Sequence, residues 1–202
     1  MRYYETVPGW FDYSDLYTWA VNGAPPNSIL VEVGVFLGRS SAFMMEEIAA
    51  ANKGLSFYCI DLFKITPDDA AEGGDGQMPW GENARLWKER MGGDKLYETA
   101  KWYLEHSPAA ASLSQMIQGD SAESAALFQD NSVHFGFIDA SHLYPNVKRD
   151  MAAWYPKIKQ GGYLAGHDWI SGPEVRQAVT EFADQNGLQI GVANNCWVIA
   201  KK

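Results

Sequence analysis

The stretch GFIDASHLYPNVKRD, residues 136–150, holds the first residues whose types and spacing could do chemistry. An apolar run from Val133 to Ile138 stops at Asp139, and His142 follows three residues later. A carboxylate that closes a buried strand has two ordinary uses. It can cap the next helix, or it can hold a cation or a reacting group at the rim of a sheet, with the imidazole as acid–base partner. Asp168 closes a second apolar run, beside His167. If the two runs are adjacent parallel strands, both carboxylates reach one rim. With waters and substrate oxygens they would make a site for Mg²⁺, which prefers oxygen donors and keeps positions open. His142, one loop step from Asp139, is then the candidate general base. His167 could ligate a softer metal, orient Asp168 or simply pack.

Those residues need a sheet to position them, and the chain supplies one. Short β-branched runs alternate with longer helical ones: strands at 28–35, 55–62, 114–120, 133–140 and 161–169, with helices at 39–52, 121–128, 146–158 and 174–186 between and after them. This alternation predicts βαβ units and a mostly parallel sheet in an α/β fold. The end of the chain differs, because LQIGVANNCWVIAKK reads as two strands joined by a turn at Asn194-Asn195, a hairpin closing the sheet. His106 reads as a helix-end residue and His134 as a strand-start residue. Two segments break the rhythm: an aromatic-rich helical extension at 1–27, and a Gly- and Trp-containing insertion at 64–93. A loop of that length in one compact domain of residues 1–202 reads as a lid over a substrate.

Three strand ends carry a further pattern. The first gives EVGVFLGRSS, where Gly34 and Gly38 let backbone approach a ligand at a helix N-terminus and Glu32 precedes them. The G-x-G-x-x-G spacing of a dinucleotide site is absent, which disfavours a Rossmann dehydrogenase. Asp61 ends the second strand, where a carboxylate can accept both hydroxyls of a ribose. Asp120-Ser121 ends the third, where it could read an adenine edge or cap the helix that follows. Ligands in parallel sheets bind beyond the carboxyl ends of the strands, so the three ends together point to a nucleoside-like ligand.

Composition bounds the rest. The chain has 202 residues, 47% hydrophobic and 20% charged, ordinary for a globular protein, and a formal net charge of −9 with no basic run to meet nucleic acid. Cys59 and Cys196, both in apolar runs, read as buried free thiols of a reducing compartment. With no apolar leader and no membrane-length apolar stretch, the expected location is cytoplasmic, away from membranes. Aromatic residues near the N-terminus leave room for a homodimer.

Taken in order, VEVGVFLGRSS, CIDLF, IQGDSAE, GFIDASHLYPNVKRDM and KQGGYLAGHDW resemble class I S-adenosylmethionine-dependent methyltransferases, and more narrowly the branch with macrocin-type sugar O-methyltransferases and relatives of cephalosporin hydroxylase. The resemblance implies a Rossmann-like seven-stranded sheet of order 3-2-1-4-5-7-6 with its last strand antiparallel. It also implies that Gly34, Gly38 and Ser40 line the methionine and ribose portions of S-adenosylmethionine, with Glu32 orienting the amino-acid end. Asp61 would hold the ribose hydroxyls, Leu62 would lie against adenine, and Asp120 with the Ser121 backbone would take the adenine amino group. A metal-ligating Asp139 with a base at His142 matches the D-x-x-H spacing of the sugar enzymes. Those relatives carry adjacent acidic residues where this chain has His167-Asp168, so the expected metal set is Asp139 and Asp168, with His167 as a ligand for a softer metal and Mg²⁺ the expected ion. The activity implied is O-methylation of a hydroxyl on a small-molecule sugar or polyol, with Trp80 and Trp169 as stacking surfaces. The rivals are a metal-dependent hydroxylase and a non-catalytic S-adenosylmethionine-binding module.

Overall fold

The computed structural model describes residues 1–64, 78 and 81–202. Seven strands form one sheet: β1 (Ile29–Val33), β2 (Ser56–Asp61), β3 (Leu113–Gln118), β4 (Val133–Ile138), β5 (Ile158–Gly166), β6 (Ile190–Ala193) and β7 (Cys196–Ala200). Their order across the sheet is β3-β2-β1-β4-β5-β7-β6. The first five run parallel, and β7 is antiparallel to both β5 and β6. This is the Rossmann-like order that the resemblance implies, and the antiparallel β7 agrees with the terminal hairpin read from the sequence.

Helices cover both faces because the parallel strands are apolar on both sides. In β1, Leu30 packs with one core and Val31 and Val33 with the other, as a period of two requires. The first core lies under α1 (Ser14–Gly23), α2 (Arg39–Ala51) and α4 (Lys95–Glu105), the helix that follows α3 (Ala84–Arg90). The second lies under α6 (Tyr144–Trp154) and α7 (Pro173–Asn186), which come after the single turn α5 (Ser121–Ser124). Helix α4 was not assigned from sequence beyond placing His106 at a helix end. Its buried Leu96, Ala100 and Leu104 recur every four residues along one stripe. His106 is its C-cap.

The same parity places the acids. Glu32 shares its face of β1 with Leu30, Asp61 shares its face of β2 with Phe57 and Cys59, and Asp139 continues the face of Phe135 and Phe137. All three therefore point toward the α1–α2 side at the carboxyl end of the sheet. The N-terminal segment is tied down across that end. Arg2 pairs with Glu46 and Glu47 of α2 at 2.5 and 2.8 Å, and the Arg39 guanidinium donates to the Val7 and Gly9 carbonyls. Trp80 and half of the expected lid lie outside the described residues. The described part of that insertion includes α3, whose Trp87 is buried against Phe36 at a ring separation of 5.1 Å.

Candidate active site at the carboxyl rim of the sheet

Asp139 follows β4 directly, and it does not cap the next helix: the N-cap of α6 is Leu143. Its carboxylate is left for other partners. Tyr13 donates its hydroxyl to Asp139 Oδ2 at 2.9 Å, and the Tyr13 ring lies 4.9 Å from that of His167. Strand β5 starts three residues earlier than expected and stops at Gly166, because the Gly166 backbone lies against Trp197 and the Ile138 carbonyl too closely for a side chain. Asp168 therefore sits in a loop rather than on the strand, with φ of 60°, a left-handed conformation that a non-glycine residue adopts only when its surroundings enforce it. The enforcement is visible. Ser171 donates to Asp168 Oδ1 at 2.5 Å, the Gly172 N–H donates to the Asp168 carbonyl at 2.8 Å, and Asn195, at the tip of the terminal hairpin, accepts from the Ile170 and Ser171 N–H groups.

This geometry brings the chemistry together. His142 Nε2 lies 2.9 Å from Asp168 Oδ2. One ligand atom each from Asp139, His142 and Asp168 falls within 4.8 Å of the others, the one such group among the described residues. Two carboxylates and an imidazole are a fitting donor set for a divalent cation, with nitrogen shifting the preference toward transition metals relative to an all-oxygen site. His142, expected as the general base, thus has its ring nitrogen inside this cluster of candidate ligand atoms.

His167 differs from its expected role as well. Its Nε2 is 2.9 Å from Asp12 Oδ1 and its Nδ1 is 3.3 Å from Asp168 Oδ2 and 3.9 Å from Asp139 Oδ1. Burial alone would lower its pKa, but the hydrogen bond to Asp168 and the charges of Asp139, Asp168 and Asp12 prevail and push it up to about 9. With no cation bound, the three carboxylates favour its protonated form, in which it acts as their counter-charge. Asp168 is held well below the usual carboxylate range: burial opposes its ionisation, but His142, His167 and Ser171 outweigh it. Asp139 goes the other way, raised by burial despite the nearby histidines.

A second group of residues lines β1, β2 and β3. Glu32 is fully buried; it accepts from the Tyr17 hydroxyl at 2.7 Å and from Ser41 Oγ, with Ser40 adding a further hydrogen bond. Burial outweighs these bonds and pushes its pKa up to about 7. Gly34, at φ of 91°, is required by close approach: a Cβ there would lie 1.8 Å from the Asp139 carbonyl oxygen. A Cβ on Gly38 would meet Leu104 at 2.8 Å. Both glycines thus answer first to the protein's own packing. Asp61 Oδ2 accepts the Val35 and Phe36 N–H groups at 2.7 and 2.9 Å, and its Oδ1 accepts that of Phe63 at 2.6 Å. It clamps the glycine loop from the adjoining strand. Next to it, Leu62 is 40% exposed, a large apolar side chain left open at the rim.

Asp120 caps α5, accepting from the Glu123 N–H at 3.1 Å, and pairs with Arg149 of α6. Its carboxylate is committed to the cap and the ion pair. Ser121 is pinned from below: Trp154 Nε1 donates to its carbonyl at 3.2 Å, and Asp150 hydrogen-bonds it from the same helix. Trp169 is half-buried against the second core. Asp12 and Tyr13, which reach the cluster from the N-terminal segment, carry no spacing signal in sequence.

The Asp150 carboxyl is 2% exposed and its Oδ1 has no hydrogen-bond partner. Burial pushes its pKa from 3.8 up to about 6, against the opposing effects of Ser121 and Arg149. The folded state therefore holds this proton more tightly than the unfolded state does. Asp150 favours folding most below its unfolded pKa, and that contribution is lost as pH rises toward about 6. Asp150→Asn removes the penalty. Denaturant titrations should show the variant gaining on the parent by up to about 3 kcal/mol between acid and neutral pH. A difference that does not change with pH would mean that Asp150 ionises normally.

A family model described as a methyltransferase domain matches residues 31–169, a span that runs from β1 to the loop after β5 and holds Glu32, Asp61, Asp120, Asp139, His142, His167 and Asp168. This chain belongs to that family. The methyltransferase domain depends on S-adenosylmethionine as methyl donor. It is 22% identical over 167 residues to the uncharacterized protein y4gI of Sinorhizobium fredii (strain NBRC 101917 / NGR234), covering 83% of this chain and 16% of that protein, so it spans only a small part of that relative's length. Among solved structures it resembles the O-methyltransferase NovP, with 17% identity, a TM-score of 0.64 and coverage of 94% of this chain and 79% of that one. It also resembles CalS11, a TDP-rhamnose 3'-O-methyltransferase of calicheamicin biosynthesis, with 14% identity, a TM-score of 0.59 and coverage of 93% and 76%. At these identities the likeness is one of fold. No helix among the described residues is long and apolar enough to cross a membrane.

Proposed function

We propose that the methyltransferase domain transfers its methyl group to a hydroxyl of a small molecule, a sugar or polyol, with the help of a divalent cation. The observation that carries this reading is the convergence of Asp139, His142 and Asp168 at the rim where the cofactor binds in this family. A hydroxyl is a poor nucleophile until its proton leaves, and these groups suit that task. When bound, a cation such as Mg²⁺ would lower the pKa of the acceptor hydroxyl. Asp139 and Asp168 would hold it, Asp168 being the more firmly ionised of the two. His142, with its side chain 42% exposed and its Nε2 2.9 Å from Asp168, would accept the proton. His167 and Asp12 hold Asp168 and the loop around it in place. Resemblance to CalS11 supports a sugar as acceptor.

The cofactor would span the first three strand ends. Ser40, with the backbone at Gly34 and Gly38, lies at the methionine end; Glu32 supports them from beneath, since it is buried rather than facing the ligand. Asp61 would take the ribose hydroxyls while holding the glycine loop, Leu62 would meet the adenine face, and the Ser121 backbone its edge. Asp120 acts through the cap that shapes that turn. Residues 1–27 and 64–93 would wall the acceptor side of a single domain.

A second reading is favoured by the 2.9 Å approach of His142 to Asp168: His142 is a third cation donor rather than the base. Calorimetric titration of His142→Ala with Mn²⁺ and Mg²⁺ separates the two, because only a ligand's removal weakens cation binding.

The test of the cofactor assignment is titration with S-adenosylhomocysteine. Asp61→Ala should weaken it by roughly 2–3 kcal/mol, the loss of charge-assisted hydrogen bonds to a pair of hydroxyls. Methyl transfer from labelled S-adenosylmethionine to a panel of sugars, polyols and catechols then identifies the acceptor class. Transfer to amines but no hydroxyl would overturn the proposed chemistry.

A further inference from the structure

At the opposite end of the sheet, a cavity of about 140 Å³ opens between α1, β4 and β5. Phe135 lines its apolar side, and Trp19 and Tyr163 stand edge to face beside it with ring centroids 4.8 Å apart. Gly23 and Gly161 border it, and a Cβ built on either meets nothing within 4 Å. The remaining wall is His134, which is 5% exposed. Its buried Nδ1 has no hydrogen-bond partner, and no bond to either ring nitrogen is found among the described residues. A buried polar group left unpaired is costly, so such a group calls for a partner that the described residues do not supply.

The charges around His134 define that partner. Lys159 donates to Ser28 Oγ at 3.1 Å, and Lys53 donates to the Val21, Asn22 and Ala24 carbonyls at the end of α1. Neither ammonium is in an ion pair among the described residues. Burial first, then Lys159 and Lys53, lowers the pKa of His134, which stays neutral and keeps one ring N–H to donate. A local excess of positive charge is unusual in a chain with a formal net charge of −9. Size completes the description, since an apolar cavity of roughly 150 Å³ accommodates one benzene ring.

We propose that this cavity is a second small-molecule site, one that takes a single aromatic ring bearing an anionic group, of the class of a substituted benzoate. The ring lies in the cavity beside the Trp19–Tyr163 pair. The carboxylate accepts the His134 N–H within the field of Lys159 and Lys53. The site is separate from the proposed acceptor site: His134 is five residues before Asp139 along β4, roughly 16 Å at the rise of a strand.

The experiment is a titration of the whole chain with 4-fluorobenzoate, read by fluorine resonance and by the histidine ring correlations. Saturable binding that moves the His134 signals is expected, with 4-fluorobenzamide binding about tenfold or more weakly, a difference of about 1.4 kcal/mol. His134→Phe keeps the ring volume and removes the N–H, and should lose most of the binding. Trp19→Ala alters a half-exposed residue that can be changed without threatening the fold, and should weaken both ligands. Lys159→Met should erase the preference for the carboxylate. Unmoved His134 signals up to the solubility of the ligand would overturn the site. So would benzoate affinity unchanged in Trp19→Ala and His134→Phe. Equal binding of the benzamide would overturn its anionic character.

Discussion

Excess chelator is expected to abolish methyl transfer while S-adenosylhomocysteine binding remains nearly intact, and Asp168→Asn is expected to do the same with no chelator present. The physical basis is the strained position of Asp168. Its left-handed backbone is maintained by Ser171, Gly172 and Asn195, and its carboxylate stays ionised against burial because two histidines and a serine stabilise it. Asparagine preserves the shape of the side chain and its bond from Ser171, and removes the negative charge that attracts a cation. Cofactor contacts lie at other strand ends, so they should persist. Re-addition of Mg²⁺ or Mn²⁺ should restore the chelated enzyme and leave Asp168→Asn inactive. Full turnover in excess chelator would reduce Asp139 and Asp168 to a structural ion-pair network with His142 and His167.

The second large effect concerns His142. A positioned base contributes roughly 10²–10⁴-fold, and His142→Ala should lower kcat by about that factor. Because the side chain is 42% exposed, its loss should leave thermal stability almost unchanged. A merely structural histidine would show the reverse: lower stability, with near-parent kcat for the folded fraction. If the cation dissociation constant rises together with the fall in kcat, His142 is a ligand and the acceptor proton leaves by another route. Near-parent turnover on the true acceptor would remove the base assignment altogether.

The strands and the acids that end them were legible because both depend on local pattern, and period-two burial puts Glu32, Asp61 and Asp139 on one face. The order of the strands was legible only through the resemblance of the motifs to a family, because the connections, 51 residues long between β2 and β3, do not dictate it. What the residues do at the rim was less legible. Asp120 was open between adenine recognition and capping, and the structure shows the cap, a role set by the Glu123 N–H three residues on. The spacing of His142 suggested a base, whereas three roles stayed open for His167. They part only in three dimensions, where His167 falls between Asp12 and Asp168 and takes up a proton. Tyr13 and Asp12 were invisible as site residues because nothing in their neighbourhood marks them. They become part of the cluster only through the path of the N-terminal segment, held by Arg39.

That path bears on how the protein reaches its working state. The bond from Tyr13 to Asp139 closes a separation of 126 residues, and that from His167 to Asp12 one of 155. Contacts so remote in sequence are the slowest to form, because the entropy of closing a long loop is lost before any bond rewards it. Asp12 and Tyr13 have their partners only once β4, β5 and the loop after β5 have come together. The rim is thus expected to be completed late in folding.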